Sequence, residues 1–389
     1  MEKEVYKRPR YQRRVEASLQ NWKITVLLGP RQCGKTTLAR MFLGPSEENY
    51  FDVSDPFDRS RLEVDPMLLG RCSGLVVVDE VQLLPELFSV LRVLADRDPQ
   101  PARFLLLGSA SPTLRNRVTE TLAGRASLID MWGFDCDEVG WEMAESLWLR
   151  GSFPESFLHP DPLSFEWRES FVRLFLERDL PQLGIRIPAP KLRRFWTLLA
   201  HEHGQTWNSS KIANAMGISP TTSRDYLDIL EQTYMLRVLQ PYFSNTKKRL
   251  VKSPKVYLRD AGILHLLMGI KDRHGLTNHP IYGFSWEGFA MEQILETLEI
   301  PSREAFFWRT HAGAELDLLV EVGGRRFGFE FKRSSAPKTN KSMRSALADL
   351  ELAHLWIVYP GDKLAKLDES ISVLPFAQIA RLPALCAEC

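Results

Sequence analysis

The first third of the chain carries three short apolar runs, each ended by small or acidic residues. They are "KITVLLG" (residues 23–29), "GLVVVDEVQLL" (74–84) and "ARFLLLGSAS" (102–111). Runs of this kind predict strands of a parallel sheet buried on both faces. The first is followed by "KTTLARMFL", good helix formers at helical spacing. From Pro190 the texture changes. "PAPKLRRFWTLLAHEHG" reads as an amphipathic helix ending at His203-Gly204, and "SSKIANAMGISPTTSRDYLDILEQTYML" fits helix, turn, helix. Ser209 or Ser210 caps the first of these helices, Gly217 turns the chain, and Ser219 caps a second helix opened by Pro220. Ile212, Ala213 and Met216 point inward from one helix, and Tyr226, Leu227 and Leu230 from the other. "MLRVLQPY" and "KVYLRD" follow as the strands of a wing. Further on, "GAELDLLVEVGGRRFGFEFKRS" alternates around Gly323-Gly324, predicting a two-residue hairpin with Val322 opposite Arg325. Its apolar face is Leu316, Leu318, Val320, Phe327, Phe329 and Phe331. "SMRSALADLEL" and "HLWIVYPG" supply the helix and strand after it.

Composition narrows the class. A chain of 389 residues exceeds one ordinary core, so on the order of two to four domains are expected. Apolar residues at 44% and charged residues at 25% fit a folded globular protein. No apolar run approaches the ~20 residues of a membrane span, and the charged N-terminus has no secretory apolar centre. The five cysteines, at 33, 72, 136, 386 and 389, are scattered, which favours reduced thiols and a cytoplasmic protein with no membrane partner. Cys386 and Cys389 form one C-x-x-C without a second pair beside it. A net charge of +1 gives no general attraction to polyanions, so any such attraction has to come from local clusters.

The candidate chemistry begins at Gly29, four residues before Gly34-Lys35-Thr36. Strand, Gly-rich turn and helix in this order form a phosphate-binding loop. Gly29, Pro30, Arg31, Gln32, Cys33, Gly34 and Thr37 would shape the cradle, Lys35 would reach the β and γ phosphates of ATP, and Thr36 would hold Mg²⁺. Asp79 and Glu80 end the second run, where an acid orients Mg²⁺ and a following Glu polarises the attacking water. Ser109 and Ser111 end the third run and are placed to sense phosphate. Arg125 ends a helix, the position of an arginine that reaches a neighbour's nucleotide or of a solvated terminal residue.

Together "GPRQCGKTTLAR", "LVVVDEVQLL", "LLLGSAS", "LAGR" and "GSFPES" resemble the prokaryotic AAA-type ATPases whose P-loop opens Gly-Pro-Arg-Gln and which carry a C-terminal domain of unassigned function. The resemblance spans essentially the whole chain. It implies an AAA P-loop ATPase core over 1–135 and a helical lid over 136–190, with Pro154 near the adenine and Arg178 a weaker candidate for phosphate sensing. Arg125 acting across a subunit boundary would imply a homo-oligomer, a hexameric ring.

Two later stretches bear on DNA. Residues 191–272 read as a winged helix, with Thr221, Thr222 and Arg224 at the exposed start of its second helix. Basic residues run from Arg237 to Arg259 with no acid in 237–259, and Lys247, Lys248, Arg249, Lys252 and Lys255 would meet phosphates. In the hairpin, Asp317 falls opposite Glu330 and Glu315 opposite Lys332. Two opposed carboxylates repel unless a divalent cation, Mg²⁺ or Mn²⁺, lies between them. Asp317, Glu330 and Lys332, with Glu287 from a preceding helix, resemble the PD-(D/E)xK nuclease core and imply a restriction-endonuclease-like α/β domain over 273–389. The expected protein is an ATP-driven motor that binds or remodels DNA, branched or damaged forms included. The alternatives are an ATP-dependent signalling switch with a protein partner and a metal-dependent nuclease gated by ATP.

Overall fold

The computed structural model describes residues 6–44, 48–98, 102–109, 112–243 and 250–389. Ser111, Lys247, Lys248 and Arg249 lie outside them. The chain divides into two units, one of Met1–Phe134 with Gln232–Tyr234, the other of Asp135–Glu231 with Met235–Cys389.

In the first unit the apolar runs become strands, as their unbroken hydrophobicity predicts. β1 (Ile24–Gly29), β2 (Tyr50–Asp52), β3 (Gly74–Asp79), β4 (Ala102–Ser109) and β5 (Ala126–Asp130) form a five-stranded sheet among the described residues, ordered β2-β3-β4-β1-β5. All neighbours are parallel. Ile24, Val26, Leu28, Val76, Val78, Phe104 and Leu106 enter one core, and Leu27, Val77, Leu105, Leu107 and Ile129 the other. Both sheet faces are therefore covered, which is why these strands show no polar alternation.

The second unit is built on a nine-stranded sheet among the described residues. Its strands are β6 (Gln205–Thr206), β7 (Leu236–Pro241), β8 (Lys255–Leu258), β9 (Ala305–Arg309), β10 (Glu315–Val322), β11 (Arg325–Phe331), β12 (His354–Tyr359), β13 (Ala365–Asp368) and β14 (Ile371–Pro375). They are ordered β13-β14-β12-β11-β10-β9-β7-β8-β6. β7 and β8 pair antiparallel, and β7 pairs parallel with β9 at Gln240 and Pro241. Strands from both sides of the boundary expected after residue 272 thus share one sheet, and residues 135–231 and 235–389 form one compact unit.

The hairpin has the expected register, with Val322 opposite Arg325 and Leu318 opposite Phe329. Gly323 and Gly324 have φ of 58° and 75°, the left-handed pair that a two-residue turn requires. One detail differs from simple alternation. Between Leu316 and Leu319 the pairing of β10 with β9 slips by one residue. Leu316 and Leu319 consequently share a core with Trp308, Met343 and Leu355, so Leu316 does not keep the company of Leu318 expected from period two.

Two motifs far apart in sequence lock together in this unit. Asp260 accepts hydrogen bonds from Ser152 N–H and Ser152 Oγ, both at 2.7 Å, and from Ile263 N–H at 2.7 Å. Gly151 has φ of 86°, and a Cβ there would lie 2.3 Å from Asp260 Oδ1, so glycine is required on both counts.

Three cations of the basic run from Arg237 to Arg259, namely Arg237, Lys255 and Arg259, are paired with acids. Arg237 Nη2 donates to Glu292 Oε2 at 2.7 Å and Arg237 Nε to Glu292 Oε1, while Arg259 Nε reaches Glu292 Oε2 at 3.3 Å. Arg259 also pairs with Glu296 at 3.7 Å. Burial opposes the charge on Glu292, yet Arg237 and Arg259 hold its carboxyl below the usual range. Glu292→Ala removes the carboxylate that Arg237 and Arg259 share. It is expected to destabilise the second unit by about 3–5 kcal/mol, read as a lower urea midpoint, with the first unit's transition unchanged.

Candidate nucleotide site and carboxylate cluster

The carboxyl ends of β1, β3 and β4 converge, the edge where open parallel sheets bind ligands. Gly29 is level with Ser109 across the β1–β4 pair, and Asp52 with Asp79 across β2–β3. After Gly29 the chain turns through Gln32 and Gly34, whose φ values of 64° and 99° are left-handed, and enters the Lys35–Arg40 helix. Cys33 is buried in the core below the loop, while Gln32 and Thr37 are exposed and Arg31 is half-buried. Lys35 is buried, its ammonium donating to Gly29 O at 3.0 Å and Pro30 O at 2.8 Å. Thr36 Oγ1 donates to Asp79 Oδ2 at 2.6 Å.

A hydroxyl and a carboxylate converging in this way are hard oxygen donors of the kind Mg²⁺ accepts. The residues therefore fit ATP and Mg²⁺, with Lys35 positioned for phosphate oxygens and Thr36 and Asp79 for the metal side. Bound Mg-ATP would supply the electrophilic phosphorus and its charge neutralisation. Glu80 is the base candidate: Ser109 Oγ donates to its Oε2 at 3.2 Å, and Gln82 Nε2 donates to the same oxygen. Glu80 itself has φ of 50°, a strained conformation for a residue with a Cβ.

Three supporting residues were not singled out in the sequence. Gln82 links Glu80 to β4 by also accepting from Ser109 N–H at 3.2 Å. Tyr50 OH donates to Asp79 Oδ2 at 2.9 Å. Burial and then Asp79 raise the Tyr50 phenol well above its ordinary value, so it remains a neutral donor. Arg8 is buried and donates from Nη1 to Cys33 O at 2.8 Å and Trp132 O at 3.0 Å, and from Nη2 to Gly133 O at 2.6 Å. It ties the back of the loop to the segment after β5. No local signal distinguishes Arg8 from its neighbours in a basic N-terminus. Gln82 and Tyr50 lie close to recognised features, and spacing alone gave no reason to pick them.

Other expected site residues are placed as follows. Arg125 makes a two-pronged contact with Asp96, Nε to Oδ1 at 2.7 Å and Nη2 to Oδ2 at 2.8 Å. Arg178 lies in a π-helical turn, Phe175–Asp179, and pairs with Asp179 at 3.0 Å. Pro154 is in the second unit, opening the Pro154–Leu158 helix. Ser219 Oγ accepts from Thr222 N–H at 3.0 Å, capping the Pro220–Gln232 helix as expected. The preceding Ser209–Met216 helix is capped by Asn208, whose side chain accepts from Lys211 N–H at 3.0 Å, in place of Ser209 or Ser210. Thr221, Arg224 and Lys252 are exposed and Thr222 is half-buried. Cys386 is buried, its thiol pushed up to about 12 by burial, and Cys389 is exposed; both are free thiols.

Lys255 requires a correction. It is 3% exposed and lies among acids of the C-terminal sheet, not on a phosphate-facing wing. Its Nζ is 2.6 Å from Glu315 Oε1, 3.5 Å from Glu287 Oε1 and 3.8 Å from Asp317 Oδ1. Tyr257 OH donates to Glu287 at 2.6 Å, Phe331 N–H donates to Asp317 Oδ2 at 3.1 Å, and Lys332 pairs with Glu330 at 3.0 Å. The fold thus gathers Glu287, Asp317, Glu330 and Lys332. Of Asp317 and Glu330, the pair expected to hold a metal, Asp317 already has an ammonium beside it, as Glu287 and Glu315 do. Among the described residues no group of three or more His, Cys, Asp or Glu side chains is arranged to hold a metal ion. Among them, too, no helix is long and apolar enough to cross a membrane.

The order of these strands, with β4 inserted between the P-loop strand and the Asp79 strand, together with the loop and the acids at their ends, defines a P-loop ATPase of the AAA type. Residues 21–140 match an AAA domain, and residues 142–274 and 282–379 match the domains of unknown function DUF8612 and DUF4143. Uncharacterized protein Rv2008c of Mycobacterium tuberculosis and uncharacterized protein Mb2031c of Mycobacterium bovis are each 48% identical to this chain over 368 residues, 94% of it and 83% of theirs. The chain belongs to their family. Among solved structures, the Walker-type ATPase PABY2304 of Pyrococcus abyssi covers 68% of this chain and 96% of its own at 18% identity and a TM-score of 0.47. A RuvB of Thermotoga maritima covers 59% and 89% at 16% identity and a TM-score of 0.29.

Two outcomes follow from the geometry. Arg8→Met should raise the ATP Kd on the order of tenfold in equilibrium titration by loosening the loop, with the melting profile of the second unit unchanged. The second outcome concerns pH. Burial, then Asp317, raises the Glu287 carboxyl to about 7 and the Glu330 carboxyl to about 8. Between the ordinary carboxyl value and those values the folded state holds protons that the unfolded chain has released. The contribution of these two groups to the second unit's stability should therefore be full below the ordinary carboxyl value and be lost as pH rises from there towards about 7 and about 8, by up to about 1.4 kcal/mol per pH unit for each proton. In Glu330→Gln the slope of urea midpoint against pH should shrink.

Proposed function

We propose that this AAA-type ATPase couples ATP hydrolysis to the engagement of DNA through the Pro220–Gln232 helix. The observation that carries the reading is the division of that helix into two faces. Ser223, Tyr226, Leu227 and Leu230 are buried, while Thr221 and Arg224 stand exposed at its N-terminal end. Three helices with β6 between the first two, closed by the β7–β8 pair, follow the order of a winged helix-turn-helix, whose second helix presents its N-terminal residues to a groove. Among the described residues of that helix and the basic run, Arg224 and Lys252 are exposed cations open to phosphate contact, while Arg237, Lys255 and Arg259 pair with acids. Phosphate binding of this kind falls with salt. A ring in which Arg125 reaches a neighbour's nucleotide requires it to release Asp96.

A second reading, an ATP-dependent switch that docks a protein, is favoured by Phe57, Val64 and Met67 of the first unit, which are 71%, 84% and 40% exposed. Large apolar side chains this open to water are typical of contact surfaces.

ATPase rate measured with duplex, single-stranded and four-way-junction DNA separates the two. Stimulation at low salt that is lost in Arg224→Glu, with the DNA-free rate retained, is the expected result. A rate indifferent to every DNA, with no binding by anisotropy at low salt, removes the DNA reading. Lys35→Ala should abolish turnover under either.

A further inference from the structure

The cluster of the second unit gathers four carboxyl groups from three elements. Glu287 comes from the Tyr282–Thr297 helix, Glu315 and Asp317 from β10 and Glu330 from β11. Facing them are the ammoniums of Lys255 and Lys332 and the guanidinium of Arg309, which is 3.5 Å from Glu315 Oε2. Lys332 is 41% exposed and is paired with Glu330, and Arg309 is 40% exposed at the rim. Lys255 alone of the three cations is enclosed, its side chain 4% exposed and within reach of three of the four acids. Its Nζ also stands 5.6 Å from the centre of the Phe307 ring, whose face favours a cation.

We propose that Lys255 is the resident cation of this cluster: its ammonium stands where a divalent ion shared by Glu287 and Asp317 would have to lie, and while it is there those two carboxylates bind no divalent metal. An ion sharing oxygens of Glu287 and Asp317 would lie against Nζ, because Nζ is 3.5 Å and 3.8 Å from those same carboxylates. A divalent ion and an ammonium in contact repel, and at a buried site water screens them little. The ammonium cannot easily swing aside. Lys255 is paired on both edges of β8, with Thr206 of β6 and Leu239 of β7, so its backbone is fixed. Tyr257, two residues along on the same strand, holds Glu287 by a hydrogen bond. The cluster accordingly joins β8 to the Tyr282–Thr297 helix and β10 as a salt-bridged clamp. This inference does not depend on the DNA reading.

The test is Mn²⁺ binding to the full chain without nucleotide, counted by the free-ion signal in electron paramagnetic resonance. Wild type and Asp317→Asn should bind equal amounts, since no ion is held by Asp317. Lys255→Gln should gain one Mn²⁺ per chain, at least tenfold tighter than any wild-type binding, and Lys255→Gln combined with Asp317→Asn should lose it. A wild-type site that Asp317→Asn weakens overturns the proposal, and so does a folded Lys255→Gln that gains nothing. If Lys255→Gln does not fold, the wild-type comparison with Asp317→Asn decides by itself.

Discussion

A charge taken out of water needs an opposite charge beside it, and in the second unit that requirement joins β7 and β8 to the middle of the sheet and to one helix. β7 and β8 carry Arg237, Lys255 and Arg259, all largely buried. Their partners arrive later in the chain, Glu287, Glu292 and Glu296 on one helix and Glu315 and Asp317 on β10. Separating these strands from the rest would expose or strand several buried ions, each worth several kcal/mol when left unpaired. The parallel pairing of β7 with β9 runs along the same seam. Charge and backbone hydrogen bonding thus agree, and the segment from 191 to 272 has no independent core boundary at its C-terminal end.

This seam also marks where sequence reading succeeds and where it stops. The P-loop was legible because its parts are local: an apolar strand, Gly34 with a left-handed φ, and a lysine at the helix start all lie within a few residues. The hairpin was legible for the same reason, since two glycines fix the register and the register fixes which side chains are opposed. The basic run misled because its meaning is non-local. Counting signs from 237 to 259 finds no acid, whereas the acids that pair with Arg237, Lys255 and Arg259 lie 28 residues or more beyond the last of those positions. Arg8 was missed for the same reason, its carbonyl partners being at Cys33, Trp132 and Gly133.

The "GSFPE" stretch shows a third situation, a motif legible as a motif whose work is architectural. Gly151 and Ser152 surround the Asp260 carboxylate, and Arg168 Nη1 donates to Gly262 O at 2.6 Å beside it. Gly262 is held equally tightly: a Cβ there would lie 2.2 Å from Arg150 O. Residues 150–152 and 260–262 therefore constrain one another through backbone contact, and a side chain added at either glycine would collide with its opposite. Resemblance pointed to the stretch, but only the packing gives the reason glycine and aspartate are needed there.

Two buried lysines show how similar side chains differ in availability. Lys35 is held by the neutral carbonyls of Gly29 and Pro30, within its own loop. A phosphate oxygen adds a negative charge that a carbonyl lacks and so attracts the ammonium more strongly, and an arriving nucleotide can take that ammonium from its carbonyls. Lys255 is held by carboxylates from a helix and a strand, and no polyanion offers it more negative charge than it already has. The first lysine is exchangeable and the second is fixed, a difference set by the charge on the acceptor and not by burial, since both side chains are almost wholly enclosed. The nucleotide loop is thereby left ready for a ligand, while the carboxylate cluster has been satisfied by the protein itself.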